Sequence, residues 1–94
     1  MYVDKKNVMK ALTSVAIEKV LLDIGKPVFD KVSNKLQKEY NCYIPDCYEY
    51  PEYLDNVLRS IFGNSTRIVE SIRELLVEYL DDDGIRLLVQ KIGA

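Results

Sequence analysis

The sequence predicts an all-α domain, and three observations carry that reading. No segment alternates apolar and polar residues with the period of two that a half-buried strand requires. Five segments instead repeat apolar residues at three- and four-residue spacing, and every proline and glycine falls at or between the ends of those segments. The chain has 94 residues, 48% apolar and 30% charged, which suits one domain with one core. The expected architecture over residues 1–94 is a compact helical bundle of four longer helices and a short C-terminal fifth.

The first helix is expected over residues 4–23, with Asp4 as its N-cap and Gly25 and Pro27 as its stop. It is apolar on two sides. Val8, Leu12, Val15, Ala16 and Leu22 form one stripe, and Ile17, Val20, Leu21 and Ile24 lie nearly opposite. A helix of this kind either runs through the middle of the monomer or reserves one stripe for a second copy. The sequence reading assigns Ile17, Leu21 and Ile24 to a homodimer interface.

The second helix opens with Pro27, preorganised for a first helical turn, and runs to Tyr40 with Val28, Phe29, Val32, Leu36 and Tyr40 inward. Lys31, Lys35 and Lys38 share another side as a basic ridge. Residues 41–50 form the only long connection, punctuated by Pro45 and Pro51. Tyr40, Tyr43, Tyr48, Tyr50 and Tyr53 place five of the seven tyrosines in fourteen residues. Tyrosine joins a large apolar ring to a polar tip on two torsions, so such a cluster either caps the bundle or makes an adhesive surface. Tyr43, Tyr48, Tyr50 and Tyr53 are the expected anchors for a protein partner.

The third helix is expected from Pro51 to the Gly63 stop, with Leu54, Val57, Leu58, Ile61 and Phe62 inward. Ser65 is the expected N-cap of the fourth, whose inward stripe runs from Ile68 through Val69, Ile72, Leu75 and Leu76 to Tyr79 and Leu80. Asp81, Asp82 and Asp83 then break the chain and cap a last helix over residues 85–92. That helix would bury Ile85, Leu88, Val89 and Ile92 and leave Leu87 outside, a second sign of an interface.

Composition excludes more chemistry than it supports. There is no histidine, which removes the usual general base near neutral pH, the Ser-His and Cys-His pairs and histidine metal sites. The four glycines read as helix terminators or chain ends, so no glycine-rich phosphate loop exists. Aligning Gly84 with the glycine of a calcium loop puts Tyr79 and Gln90 at the first and twelfth ligand places, so both essential carboxylates are missing. Cys42 and Cys47, in C-x4-C spacing, are read as two reduced thiols, with a local disulfide or a metal shared between subunits as alternatives. The expectation is therefore a protein that is not an enzyme and takes no cofactor.

The formal net charge is −2, which gives no general attraction to nucleic acid or anionic lipid. Charge is nevertheless segregated: residues 1–38 are basic, and residues 39–57 hold five acids and no base. No apolar run reaches membrane-spanning length, and the N-terminus lacks a signal-peptide core, so the expected location is cytoplasmic.

The junction over residues 58–72 resembles a helix-turn-helix, with Gly63 in the turn, Ser65 as cap and Val69 and Ile72 seating a recognition helix. On that alternative Ser65, Thr66, Arg67, Glu70 and Ser71 face the DNA major groove. Asn64 and Thr66 stand where apolar residues are usual, and Glu70 and Glu74 point toward a polyanion, so nucleic acid is not the favoured partner.

Residues 26–72, with a K-P-V-F-D-K-V-x-x-K-L helix, a tyrosine-rich Cys-containing loop and an I-F-G-N-S-T turn, resemble small α-helical output domains of archaeal signalling networks. The resemblance covers about half the chain. It implies an interaction or regulatory module and supplies no functional residues. The sequence thus leads to a non-catalytic protein-interaction or signalling output module, homodimeric, with a helix-turn-helix regulator as the alternative.

Overall fold

The computed structural model describes residues 4–93, and these residues are all-α, with no strand among them. Helix α1 (Lys5–Ile24) starts where Asp4 accepts the Lys6 N–H at 3.0 Å and ends where the Gly25 N–H reaches the Leu21 carbonyl at 3.0 Å. Helix α2 (Lys26–Tyr40) follows at once, with Pro27 in its first turn. It stops at Asn41, which takes the left-handed conformation at φ 50°, its side chain accepting from Gln37 Nε2 at 3.0 Å.

The connection after Asn41 is more ordered than its sequence suggests. Residues Ile44–Tyr48 form a 3₁₀ helix, fastened by Asp46, whose carboxylate accepts the Tyr43 N–H at 3.1 Å. Five residues carry no apolar period, which is why the pattern reads as loop. Helix α3 (Pro51–Phe62) ends at Gly63, where φ is 68° and a glycine is favoured.

Helix α4 (Thr66–Leu76) departs from expectation at both ends. Ser65 occupies the cap position but makes no capping bond and is buried; Asn64 does that work, accepting from Thr66 N–H at 3.1 Å and Thr66 Oγ1 at 2.7 Å. At the far end the chain tightens into a 3₁₀ turn (Val77–Tyr79), so Tyr79 and Leu80 lie outside α4, and Leu75 is exposed rather than inward. Helix α5 (Asp83–Lys91) is capped by Asp82, which accepts the Ile85 N–H at 3.0 Å. Arg73 of α4 closes its other end, donating to Val89 O at 2.9 and 3.1 Å and to Ile92 O at 3.3 Å, carbonyls that a helix end leaves without partners.

The largest contact in the packing is between α1 and the 3₁₀ helix. The 3₁₀ helix also touches α3 and α5, while α1 further packs on α4, α2 and α5. The core gathers Leu36 from α2, Leu54 and Leu58 from α3, Ile72 from α4 and Leu88 from α5, each fully buried. Ile17 and Leu21 belong to it as well.

That last fact corrects the reading of α1. Ile17 and Leu21 have no exposed surface, so neither can form a dimer face; of the three residues assigned to that role only Ile24, 49% exposed, reaches the surface. The helix has one buried stripe and one bare stripe, with their roles exchanged. Val8, Val15 and Leu22 face outward. The buried side also carries Thr13 and Ser14, small enough to let the neighbouring chain approach, and Thr13 satisfies its hydroxyl by donating to Met9 O at 2.8 Å.

Candidate interaction surface

Val8, Val15 and Leu22 are 39%, 61% and 48% exposed and recur every seven residues, just under two helical turns. They lie on one line. Ala11 is exposed beside them and Leu12 half-buried, so this side of α1 is apolar from Val8 to Val15, while Glu18 and exposed Lys19 flank the line between Val15 and Leu22. Charged residues border this strip: exposed Lys5 near one end, and Asp23, paired with Lys19 at 3.5 Å, near the other. Glu18 turns aside into a cleft of about 210 Å³ shared with Phe29, Ser33 and Tyr43.

The tyrosine segment divides into two populations. Tyr48 is buried, and its hydroxyl donates to Asp82 Oδ2 at 2.6 Å, the same oxygen that caps α5. Burial, with the Asp82 carboxylate behind it, pushes the Tyr48 hydroxyl up to about 12. A Cβ on Gly84 would collide with the Tyr48 ring, so the glycine is what lets the ring lie against α5. Tyr48 is therefore a strut between the 3₁₀ helix and α5, not a partner anchor.

Tyr43 and Tyr50 remain available, at 64% and 45% exposure. Tyr53 is sandwiched, its ring 4.4 Å from Tyr40 and 5.2 Å from Tyr50, with interplanar angles of 13° and 11°. This stack and Asp46 line a groove of about 250 Å³. Tyr40 belongs to the tyrosine cluster but not to the expected partner anchors; its i-to-i+13 relation to Tyr53 has no sequence signature.

The charge segregation is spent inside the molecule. Lys10 of α1 pairs with Glu49 at 3.1 Å and Asp46 at 3.4 Å, and Lys6 pairs with Glu49 at 3.8 Å. The bond to Glu49 raises the Lys10 pKa. Lys35 reaches Glu39 at 3.2 Å within α2. Lys6 and Lys10 thus hold α1 against Asp46 and Glu49 of the tyrosine segment within one chain.

Cys42 and Cys47 are free thiols, and both are buried. They converge on the Tyr43 carbonyl, at 3.3 and 4.0 Å. Burial pushes both thiols up, away from the thiolate that a nucleophile or metal ligand needs. No group of three or more Cys, Asp or Glu suited to a metal occurs among the described residues.

The helix-turn-helix residues are dispersed. Ser65 is buried, and Arg67 and Ser71 turn toward α1, lining a groove of about 200 Å³ with Val20, Asp23 and Ile24. Thr66 and Glu70 are exposed. The basic ridge stands apart, since α2 packs on α1 and α3 whereas α4 packs on α1 and α5. Among the described residues no helix is long and apolar enough to cross a membrane.

Comparison with family models, curated proteins and solved structures returns no match for this chain.

Proposed function

We propose that this protein is a non-catalytic interaction module: a bundle of four longer helices and a short fifth that works in the cytoplasm by docking another polypeptide on the outer face of α1. The observation that supports it is the bare strip of Val8, Val15 and Leu22, three exposed apolar residues in line on a helix whose opposite side already fills the core. Single exposed apolar residues are ordinary on a protein surface; a line of three at heptad spacing is the pattern of a helix awaiting a helix. The exposed Tyr43 and Tyr50 offer a second contact region. A regulatory or signalling output role, which the resemblance of residues 26–72 implies, belongs to the same proposal.

The test is a photo-crosslinking amino acid placed at position 15, with one at exposed Gln90 as control. Illumination of the purified protein and of the producing cells should give a polypeptide adduct from position 15 and none from position 90. No adduct from position 15 in either setting would overturn the proposal.

A further inference from the structure

Val8, Val15 and Leu22 are evenly spaced along the strip, although the reversal that exchanges its ends lays Ala11 and Leu12 on the partner's Lys19 and Glu18. Val8 and Leu22 each lie seven residues from Val15, so reversing the helix exchanges Val8 with Leu22 and returns Val15 to itself. A two-fold contact between identical chains needs such a patch, because each surface must complement its own rotated copy.

The bordering charges follow the same operation. Lys5 and Asp23 are eighteen residues apart, five whole turns, and so project from the same flank of α1. Their midpoint is residue 14, next to the Val15 axis. Two copies of α1 laid antiparallel across Val15 would set Lys5 opposite the partner's Asp23 at both ends. Laid parallel, the two-fold would carry the Lys5 and Asp23 flank of one copy to the far side of the seam from that of the other, and the charges would not meet. Only the antiparallel arrangement pairs them. Lys5 has no ion-pair partner among the described residues, and Asp23 has only the exposed Lys19, so both are available. Glu18 is turned into the cleft beside α2.

We infer that the occupant of this face is a second copy of the chain, bound through an antiparallel α1–α1 contact with its two-fold axis at Val15. The inference rests on the interaction-module reading and names its partner. One helix pair about 30 Å long makes a contact at or below the small end of stable interfaces, ~1,200 Å² in total, so the pair is expected to be weak and concentration-dependent.

Light scattering across the micromolar range should show the mass rising toward twice that of the monomer. Val15→Glu places two carboxylates at the axis and should weaken association at least about tenfold, with an unchanged circular dichroism spectrum. Lys5→Glu or Asp23→Lys alone should weaken it about two- to tenfold at low salt, and the double reversal should restore it. Mixing Val8→Cys chains with Leu22→Cys chains should give an air-oxidised covalent pair that neither gives alone. A constant monomer mass overturns the inference, and crosslinks from Val8→Cys alone overturn the antiparallel geometry. The photo-adduct separates the two levels: a monomer that still crosslinks to a different polypeptide ends the homodimer and keeps the module, whereas a monomer with no adduct ends both.

Discussion

Leu21 and Leu22 are chemically identical neighbours with opposite fates: one is fully buried, the other half exposed. The comparison holds for the two sides of α1 as a whole. The inner side, with Ile17, Val20 and Leu21, is buried where α1 packs on the 3₁₀ helix, α4 and α2, while Val8, Val15 and Leu22 on the outer side stay exposed. Hydrophobicity does not separate them, since the helix is apolar in both directions and its apolar residues nearly cancel around the axis. What separates them is where the rest of the chain can reach. Small Thr13 and Ser14 are buried on the inner side, and Lys10 pins Asp46 and Glu49 of the tyrosine segment.

The sharpest way to break this comparison is to truncate both leucines. Leu21→Ala should cost about 2–5 kcal/mol in urea unfolding, from lost transfer energy and a cavity, whereas Leu22→Ala should stay within about 0.5 kcal/mol when measured on dilute monomer. Equal losses would mean that both sides are covered within one chain.

Gly84→Ala tests the strut on which the inner side depends. A methyl in the first turn of α5 would ordinarily stabilise the helix by about 1 kcal/mol; here it meets the Tyr48 ring, and a net loss of about 1–3 kcal/mol is expected. A gain in thermal stability would show that the ring is free to move aside.

Tyr48→Phe should cost about 1–2 kcal/mol through loss of the bond to Asp82. It should also alter the alkaline limb. The Tyr48 hydroxyl titrates near 10 in the unfolded chain and is pushed up to about 12 in the folded one, so its stabilisation is full below pH 10 and disappears as pH rises to 12. The wild type should lose stability over that window by chemical denaturation, and the variant should lose less. Cys42, Cys47 and Lys10 shift in the same direction, so some alkaline loss persists in the variant.

The smallest expected effect concerns the α3–α4 turn. Asn64→Ala should cost about 1 kcal/mol by removing the cap of α4, and Ser65→Ala should be near neutral because the Ser65 side chain makes no capping bond. The reverse order, read from melting temperatures, would return the cap to Ser65.

Much of the frame was legible because its signals are local. Asp4, Pro27, Pro51, Gly63 and Asp82 mark helix ends through bonds and torsions that involve only their nearest neighbours. Where capping bonds compete over adjacent residues the pattern misleads, as it did between Asn64 and Ser65. The 3₁₀ helix carried no period to find, and Tyr48 could not be told from Tyr43, since the difference lies in Asp82, thirty-four residues away.

By itself, then, the sequence determined that this chain is all-α, roughly where its helices begin and end, and that α1 has more apolar surface than one contact can use. Only the tertiary structure decided which stripe is buried, which tyrosines remain outside, and that Lys6 and Lys10 of the basic segment pair with Asp46 and Glu49 of the acidic one within one molecule. The physical reason is range: helix formation and capping are settled within a turn or two of the backbone, whereas burial depends on which distant segment arrives to exclude water.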